Sequence, residues 1–209
     1  MRTDRPAGAR SRPARPARIA RPRPGQGSRS TRRAHGRRRW CTCRGYGLAV
    51  ADVEIVPCAD AGVIAALHQV TVAVAYQGYF PGSPPPSVAE LQAVWDERLA
   101  DPTAVALVAC RGGRPVGSVM ARADPDFRGG QLVGLHVIRP EWGKGTGSGL
   151  HDAALAVLSE AGYRDAGLWV IARNDRARRM YERRGWAQCP GIEQEAYGVV
   201  EVRYRRELP

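Results

Sequence analysis

Every periodic apolar pattern in this 209-residue chain lies downstream of about residue 50, and that boundary limits what can fold. Residues 1–47 carry fifteen arginines and one aspartate, interrupted by Pro6, Pro13, Pro16, Pro22 and Pro24, with almost no apolar residue before Trp40. Such a stretch cannot bury enough surface to offset the entropy of ordering, so it reads as a disordered tail. The formal charge of +12 belongs to this tail, because residues 48–209 hold seventeen basic and nineteen acidic groups. A basic arm for nucleic acid or an anionic membrane is one reading. Biased composition is the other, since thirty-one arginines stand against one lysine. Translation from a start upstream of the true one, with Val50 as initiator, would leave the same trace. No specific nucleic-acid partner is expected.

Residues 51–208 are long enough for one substantial core and too short for two, so one domain is expected there. The most apolar stretch, Ala61–Tyr76, is interrupted by His68 and Gln69, and no run of eighteen apolar residues occurs. Arg37, Arg38 and Arg39 precede Trp40 without the apolar run or cleavage site of an export signal. A cytoplasmic location without a membrane partner is the expectation. Cys41, Cys43, Cys58, Cys110 and Cys189 show no redox or zinc-knuckle spacing, so no metal site is expected, and the last three read as small buried hydrophobes.

Apolar spacing predicts a short edge strand at Val53–Val56 and a helix at Ala59–Ala75 with Val63, Leu67, Val70 and Val74 inward. A loop, Tyr76–Pro86, precedes a second helix at Val88–Leu99 with Leu91, Val94, Trp95 and Leu99 on one face. Ala104–Cys110 and Val116–Ala123 form a hairpin around paired glycines. Gln131–Ile138 is a central strand, Gly149–Ala161 an amphipathic helix, and Ala166–Ala172 an almost wholly apolar strand. Asn174 can cap a helix running through Arg184, and Val199–Arg206 alternates as a last strand. Helices mixed with antiparallel hairpins disfavour a doubly wound dinucleotide fold.

Between the central strand and the amphipathic helix stands Glu141-Trp142-Gly143-Lys144-Gly145-Thr146-Gly147-Ser148. Alternate glycines let the backbone turn closely, and their N–H groups can converge with a helix N-terminus on a phosphate. The segment lacks the Gly-Lys-Ser/Thr ending of a nucleotide P-loop and the downstream acidic residue of a ribose-binding fold.

With Val137, Ile138, Pro140, Trp142, Gly145, Gly147 and the helix after them, and with Leu168-Trp169-Val170, Asn174, Ala177, Tyr181 and Gly185-Trp186, residues 51–208 resemble the GNAT superfamily of acetyl-CoA-dependent N-acetyltransferases. The resemblance implies an α/β acyl-CoA N-acyltransferase fold, a mixed central sheet whose parallel strands splay and are flanked by helices. It implies acetyl-CoA as cosubstrate, with Leu135, His136 and Val137 along the pantetheine arm. Gly143, Lys144, Gly145, Thr146, Gly147 and Ser148 would hold the pyrophosphate, and Asn174 and Arg178 the adenosine. Tyr76, Tyr79, Phe80 and Trp186 would shape the acceptor side.

Trp142 departs from the family, which usually carries arginine or glutamine there. An indole offers one donor where a guanidinium offers five, so the phosphate contact passes to Lys144 and the backbone, with weaker binding expected. The resemblance makes Tyr181 the general acid for direct acetyl transfer to a primary amine, a small molecule in preference to a protein amino group. His136 is the candidate base, since no carboxylate lies between Asp126 and Glu141, and Glu54, Glu193 and Glu195 could act through water. A catalytically weak or inactive acyl-CoA-binding regulatory module is the alternative. A homodimer paired through the last strand is also compatible.

Overall fold

The computed structural model describes residues 49–50, 52–75, 78–79, 86–196 and 198–209. The basic segment 1–47, Tyr76 and Phe80 lie outside the described residues, so the readings of the tail, and those of these two side chains as acceptor contacts, find neither support nor correction here.

The chain begins with β1 (Ala49–Val50) and β2 (Val53–Pro57), followed by helices α1 (Ala61–Ala75) and α2 (Val88–Ala100). Three strands come next, β3 (Val105–Arg111), β4 (Arg114–Ala123) and β5 (Gly130–Val137), then a 3-10 turn at Arg139–Glu141 and α3 (Thr146–Glu160). The last part is β6 (Asp165–Ile171), α4 (Asp175–Glu182), β7 (Ala187–Ala196) and β8 (Val199–Glu207). The strands form one sheet in the order β1-β2-β3-β4-β5-β6-β8-β7, antiparallel everywhere except between β5 and β6.

Local chemistry starts the helices. Asp60 Oδ1 accepts the Gly62 and Val63 N–H groups ahead of α1, while Ser87 and Glu90 close a capping box at the start of α2. Ile64, Ala65 and Leu67 of α1 and Leu91 and Trp95 of α2 pack on one sheet face with Ala106, Val108 and Met120. Leu150, Ala154 and Leu158 of α3 and Tyr181 of α4 cover the other face, against Leu107, Val119, Leu132 and Leu168. Behind β6, Arg203 forms a buried ion pair with Asp124 and lays its guanidinium over Phe127 and Trp169.

Several expectations need correcting. α1 buries Ala61, Ile64, Ala65 and Thr71, leaving Val70 and Val74 exposed, because a helix apolar on every side lets the sheet choose its face. β2 is covered by the two-residue β1 only at Val53 and Glu54, and among the described residues it is an edge from Ile55 to Pro57. The strand β7 carries Pro190-Gly191 and a shifted register that hide it from a period-two search. β8 lies between β6 and β7, so the last strand offers no free edge for pairing with a second copy. Cys58 is buried, but Cys110 and Cys189 are only half-buried. No helix among the described residues is long and apolar enough to cross a membrane.

Candidate active site

β5 and β6 pair only at Gly130–Ala166 and Gln131–Gly167, and then part. β5 stays with β4 as far as Val137, and β6 stays with β8 as far as Ile171. A wedge therefore opens toward the C-terminal ends of two parallel strands, and β5 backbone groups facing it lack a ladder partner. Buried backbone groups left this way call for a hydrogen-bonding guest. A bulge shapes the wedge. Ser118 of β4 stands opposite His136 and Met120 opposite Val133, so β5 has one residue more than β4 over this stretch. Gly134, at φ +60°, absorbs it, and a Cβ there would lie 2.6 Å from Trp95 Cη2. The bulge resets the alternation, sending His136 to the α1–α2 face while Leu135 and Val137 pack toward α3.

The loop beyond β5 ends in an uncapped helix. Gly143 and Gly145 both take positive φ, 79° and 86°, and Gly145 is the N-cap of α3 with no side chain bonding the first turn. The N–H groups of that turn and the positive end of a 15-residue helix are thus open to an anion. The loop is held from beneath by Glu141, which is buried. It accepts from Arg111 Nε and Nη2, the shortest contact being 2.8 Å, from Thr146 Oγ1 at 3.2 Å and from Lys144 Nζ at 3.4 Å. The Arg111 guanidinium, with these other donors, holds the Glu141 carboxyl below its ordinary range.

Trp142 does not face the loop's anion site with its donor. Its Nε1–H donates to the Val137 carbonyl at 2.7 Å. Ile138 N–H bonds Val116 on β4, so by strand alternation the Val137 groups turn away from β4, toward the wedge. The outer face of the indole carries the Arg176 guanidinium, 3.7 Å from the ring centroid. This stack joins the β5 loop to α4 across the mouth of the wedge. The Arg176 guanidinium has no hydrogen-bond or ion-pair partner among the described residues.

α4 presents Tyr181, buried and set against the rings of Trp186 and His151 at 5.9 and 6.5 Å. On the α1–α2 face, His136 stacks on His68 with centroids 4.1 Å apart and meets Trp95 edge-on. The Trp95 Nε1–H donates to His68 Nδ1 at 3.1 Å. Among the described residues neither ring nitrogen of His136 has a partner, nor has the hydroxyl of the opposing Ser118, although both residues are buried. Burial, His68 and Arg98 push the His136 pKa well below the usual imidazole value, so the ring is neutral.

A wedge between two parallel strands, closed by an anion-ready helix start, is the geometry expected of an acyl-CoA transferase, and the family comparison agrees. The sequence model of the acetyltransferase (GNAT) family matches residues 71–186. The chain belongs to that family. No curated protein matches it, but solved GNAT-like structures are numerous. An acetyltransferase from Thermus thermophilus is 20% identical with a TM-score of 0.60, over 77% of this chain and 100% of the other. The structure of yncA from Salmonella typhimurium with its cofactor acetyl-CoA is 16% identical, TM-score 0.57, over 76% and 95%. The PaiA N-acetyltransferase from Thermoplasma acidophilum, in complex with coenzyme A, is 13% identical, TM-score 0.56, over 74% and 98%. At such identities the likeness concerns the fold.

Within this GNAT fold the expected residues divide. Leu135 and Val137 and the loop Gly143–Ser148 lie together at the wedge and its mouth, while His136 turns its ring to the α1–α2 face and, by strand alternation, its backbone toward β4. The side chain of Thr146 is spent on Glu141, so only its backbone faces outward. Asn174 is committed to capping α4 through Ala177 N–H at 3.1 Å. Arg178 is likewise committed, to the Tyr204 hydroxyl, the Ala172 carbonyl and Gln188. Trp186 is not an acceptor-side residue. It is 3% exposed in the α3 core, donating from Nε1 to His151 Nε2 at 2.9 Å. That bond puts the neutral His151 proton on Nδ1, where it meets Asp152 Oδ1 at 2.7 Å. Glu54 on β2 and Glu193 and Glu195 on β7 are exposed and strands away from β5, so none reaches the wedge. Tyr79 does approach: its carbonyl accepts from Arg173 at 3.1 Å, beside the end of β6. Ser118, Glu141 and Arg176 went unrecognised in the sequence. Only Ser118 had a readable signal, a lone hydroxyl within the otherwise apolar run 116–121 of β4.

Proposed function

We propose that this GNAT protein transfers the acetyl group of acetyl-CoA to a primary amine of a small molecule. The observation that carries this reading is the β5–β6 wedge ending on the uncapped start of α3, which supplies unpaired backbone for an amide-bearing arm and an anion site one strand-end away. The pantetheine arm of the coenzyme lies in the wedge, and the coenzyme's pyrophosphate meets the Gly143–Ser148 backbone. Lys144, its side chain half exposed, and Arg176, stacked on the indole but without a hydrogen-bond partner among the described residues, supply the positive charge that the Trp142 indole does not.

The acceptor amine enters from the α1–α2 face. Its nitrogen attacks the thioester carbonyl, a tetrahedral oxyanion forms, and the C–S bond then breaks as the thiolate takes a proton from Tyr181. The amine loses one proton in return. Ser118 and the neutral His136 orient it by hydrogen bonds, the proton leaves by way of His136 to solvent, and Tyr181 regains a proton from solvent on its own side of the sheet. Because His136 holds a charge poorly, it serves as a relay for an amine that arrives deprotonated. A small acceptor is favoured because Ser118 and His136 lie fully inside the fold rather than along a surface groove.

The test is a panel of small amines and amine-bearing peptides with acetyl-CoA and detection of free thiol. Thiol release that depends on a small amine supports the reading. The alternative, a silent acyl-CoA-binding module, draws on Trp142 occupying the Val137 carbonyl. It would show as calorimetric acetyl-CoA binding without thiol release from any amine.

A further inference from the structure

The acceptor face carries almost no charge, and an exception stands at the lip of the wedge. α1 has no charged residue, the segment 76–87 that joins it to α2 has none, and β5 offers only the neutral His136. β6 turns Leu168 and Val170 to the α3 core, so Gly167, Trp169 and Ile171 look to the α1–α2 side with apolar side chains or none. Arg173 follows them. Its Nη2 donates to the Tyr79 carbonyl at 3.1 Å, which places it on that same side. It has no other hydrogen-bond partner and no ion pair among the described residues.

Register sets Arg173 against the amine site. Gln131 pairs with Gly167 and the two strands run the same way, so His136 is level with the end of β6, where Ile171 is followed by Arg173 two residues on. His136 with Ser118 thus forms one lip of the open wedge, and Arg173 forms the other. The next nearest charge is also positive. The Arg98 guanidinium lies 5.0 Å from the Trp95 ring centroid, and burial first and this cation second hold the His68 pKa down to about 4. No carboxylate among the described residues acts on either imidazole. A second ammonium on the acceptor would find no partner here, whereas an anion would meet an oriented guanidinium whose field the uncharged walls do not cancel.

We propose that the acceptor is an amino acid, held by its carboxylate on Arg173 while its amine lies against Ser118 and His136. This rests on the acetyl-transfer reading above. A guanidinium presents parallel donors that match the two oxygens of a carboxylate, and with one donor on Tyr79 the Arg173 side chain keeps the others for that purpose. The amine nitrogen bonds to the acetyl carbon, the C–S bond breaks, the amine gives a proton to solvent and the thiolate takes one up. The carboxylate passes through unchanged, and the product is the N-acetyl amino acid.

The test is steady-state thiol release from acetyl-CoA with a panel of α- and ω-amino acids, each beside its primary amide, for the full chain and for Arg173→Gln. The amide keeps the length and removes the charge. An α-amino amide also has the less basic amine, so more of it is free at neutral pH and intrinsic reactivity works against the expected preference. Glutamine keeps an N–H for the Tyr79 carbonyl, and an unchanged unfolding midpoint checks that the variant is folded. The wild type should favour at least one amino acid over its amide by about tenfold or more in kcat/KM, given the usual strength of hydrogen bonds to charged groups. In Arg173→Gln that preference should close to within about threefold, mainly through a higher KM for the amino acid, with calorimetric acetyl-CoA affinity unchanged. A wild type that uses the amides as well as every amino acid would overturn the proposal. So would a variant that lowers kcat/KM for acid and amide alike, or one whose loss lies in acetyl-CoA binding. If no amine releases thiol, the acetyl-transfer reading itself fails and this one falls with it.

Discussion

Lowering the pH from 7 to 4.5 should weaken the fold through the histidines on its acceptor face. His68 takes the Trp95 indole proton on Nδ1, stacks on His136, and has its pKa lowered to about 4 by burial first and by the Arg98 cation second. In the unfolded chain an imidazole titrates near ~6.5. Between those values the unfolded state carries a proton that the native state refuses. The stabilisation is therefore complete above about pH 6.5 and is lost as the pH falls toward 4. A separation of about 2.5 units at ~1.4 kcal/mol each gives roughly 3 kcal/mol. His136, depressed by burial and by His68, adds to it in the same direction. Against a typical margin of ~5–15 kcal/mol that is a large share. Urea unfolding at a series of pH values would compare the wild type with His68→Gln, which keeps an acceptor for Trp95. Carboxylates titrate in both proteins and cancel in the difference. The wild type should lose roughly 2 kcal/mol more than the variant between pH 7 and 4.5. Parallel curves would show that His68 titrates normally in the folded protein and that the stacked pair exerts no such control.

Tyr181→Phe keeps the ring packed on Trp186 and His151 and removes the proton donor, so turnover on an identified amine should fall by about 10²–10⁴ with acetyl-CoA affinity retained. A change below about threefold in steady-state kinetics would leave Tyr181 a packing residue. Gly145→Glu forces a side chain onto φ +86° and a negative charge into the anion site, and calorimetry should find acetyl-CoA binding lost in a folded variant. Arg176→Ala should raise the dissociation constant of acetyl-CoA by about tenfold and leave S-acetylpantetheine, which has no pyrophosphate, bound as before. An equal loss for both ligands would make Arg176 a support for Trp142 and nothing more.

The cofactor side was legible in the sequence because its chemistry is local. Gly143 and Gly145 need positive φ whatever surrounds them, and α3 and β6 carry their periodicity within a few residues. The acceptor side was not legible, for two reasons. His136 faces α1 and α2 only because a bulge at Gly134 inverts the alternation of β5, and a single glycine in an apolar run does not announce which way the count shifts. Trp186 misled in the opposite sense. An indole near the end of the chain suits an acceptor pocket as well as a core, and what decided its place was His151, thirty-five residues away. The side chains of Asn174 and Arg178 also have internal partners that their spacing does not announce, a helix cap for the first and the Tyr204 hydroxyl, the Ala172 carbonyl and Gln188 for the second.

The arrangement also explains how Trp142 can stand where it does. A guanidinium or amide at that point would be free to turn toward the phosphate, whereas the indole is fixed by its one donor to the Val137 carbonyl. What it gains is a flat face, and α4 lays the Arg176 guanidinium on it. Charge lost from the β5 loop thus returns from the opposite wall of the wedge. The difference has a mechanical consequence. A loop cation rides on the same backbone as the phosphate site, but Arg176 reaches across, so the contact exists only while β5 and β6 keep their present separation. The cation–π stack, worth about 0.5–2 kcal/mol by its usual range, resists widening of the mouth before any coenzyme arrives. Under the proposed acetyl-CoA reading, coenzyme enters beneath a loosely fastened clasp, and phosphates that engage the Arg176 guanidinium would fasten it further.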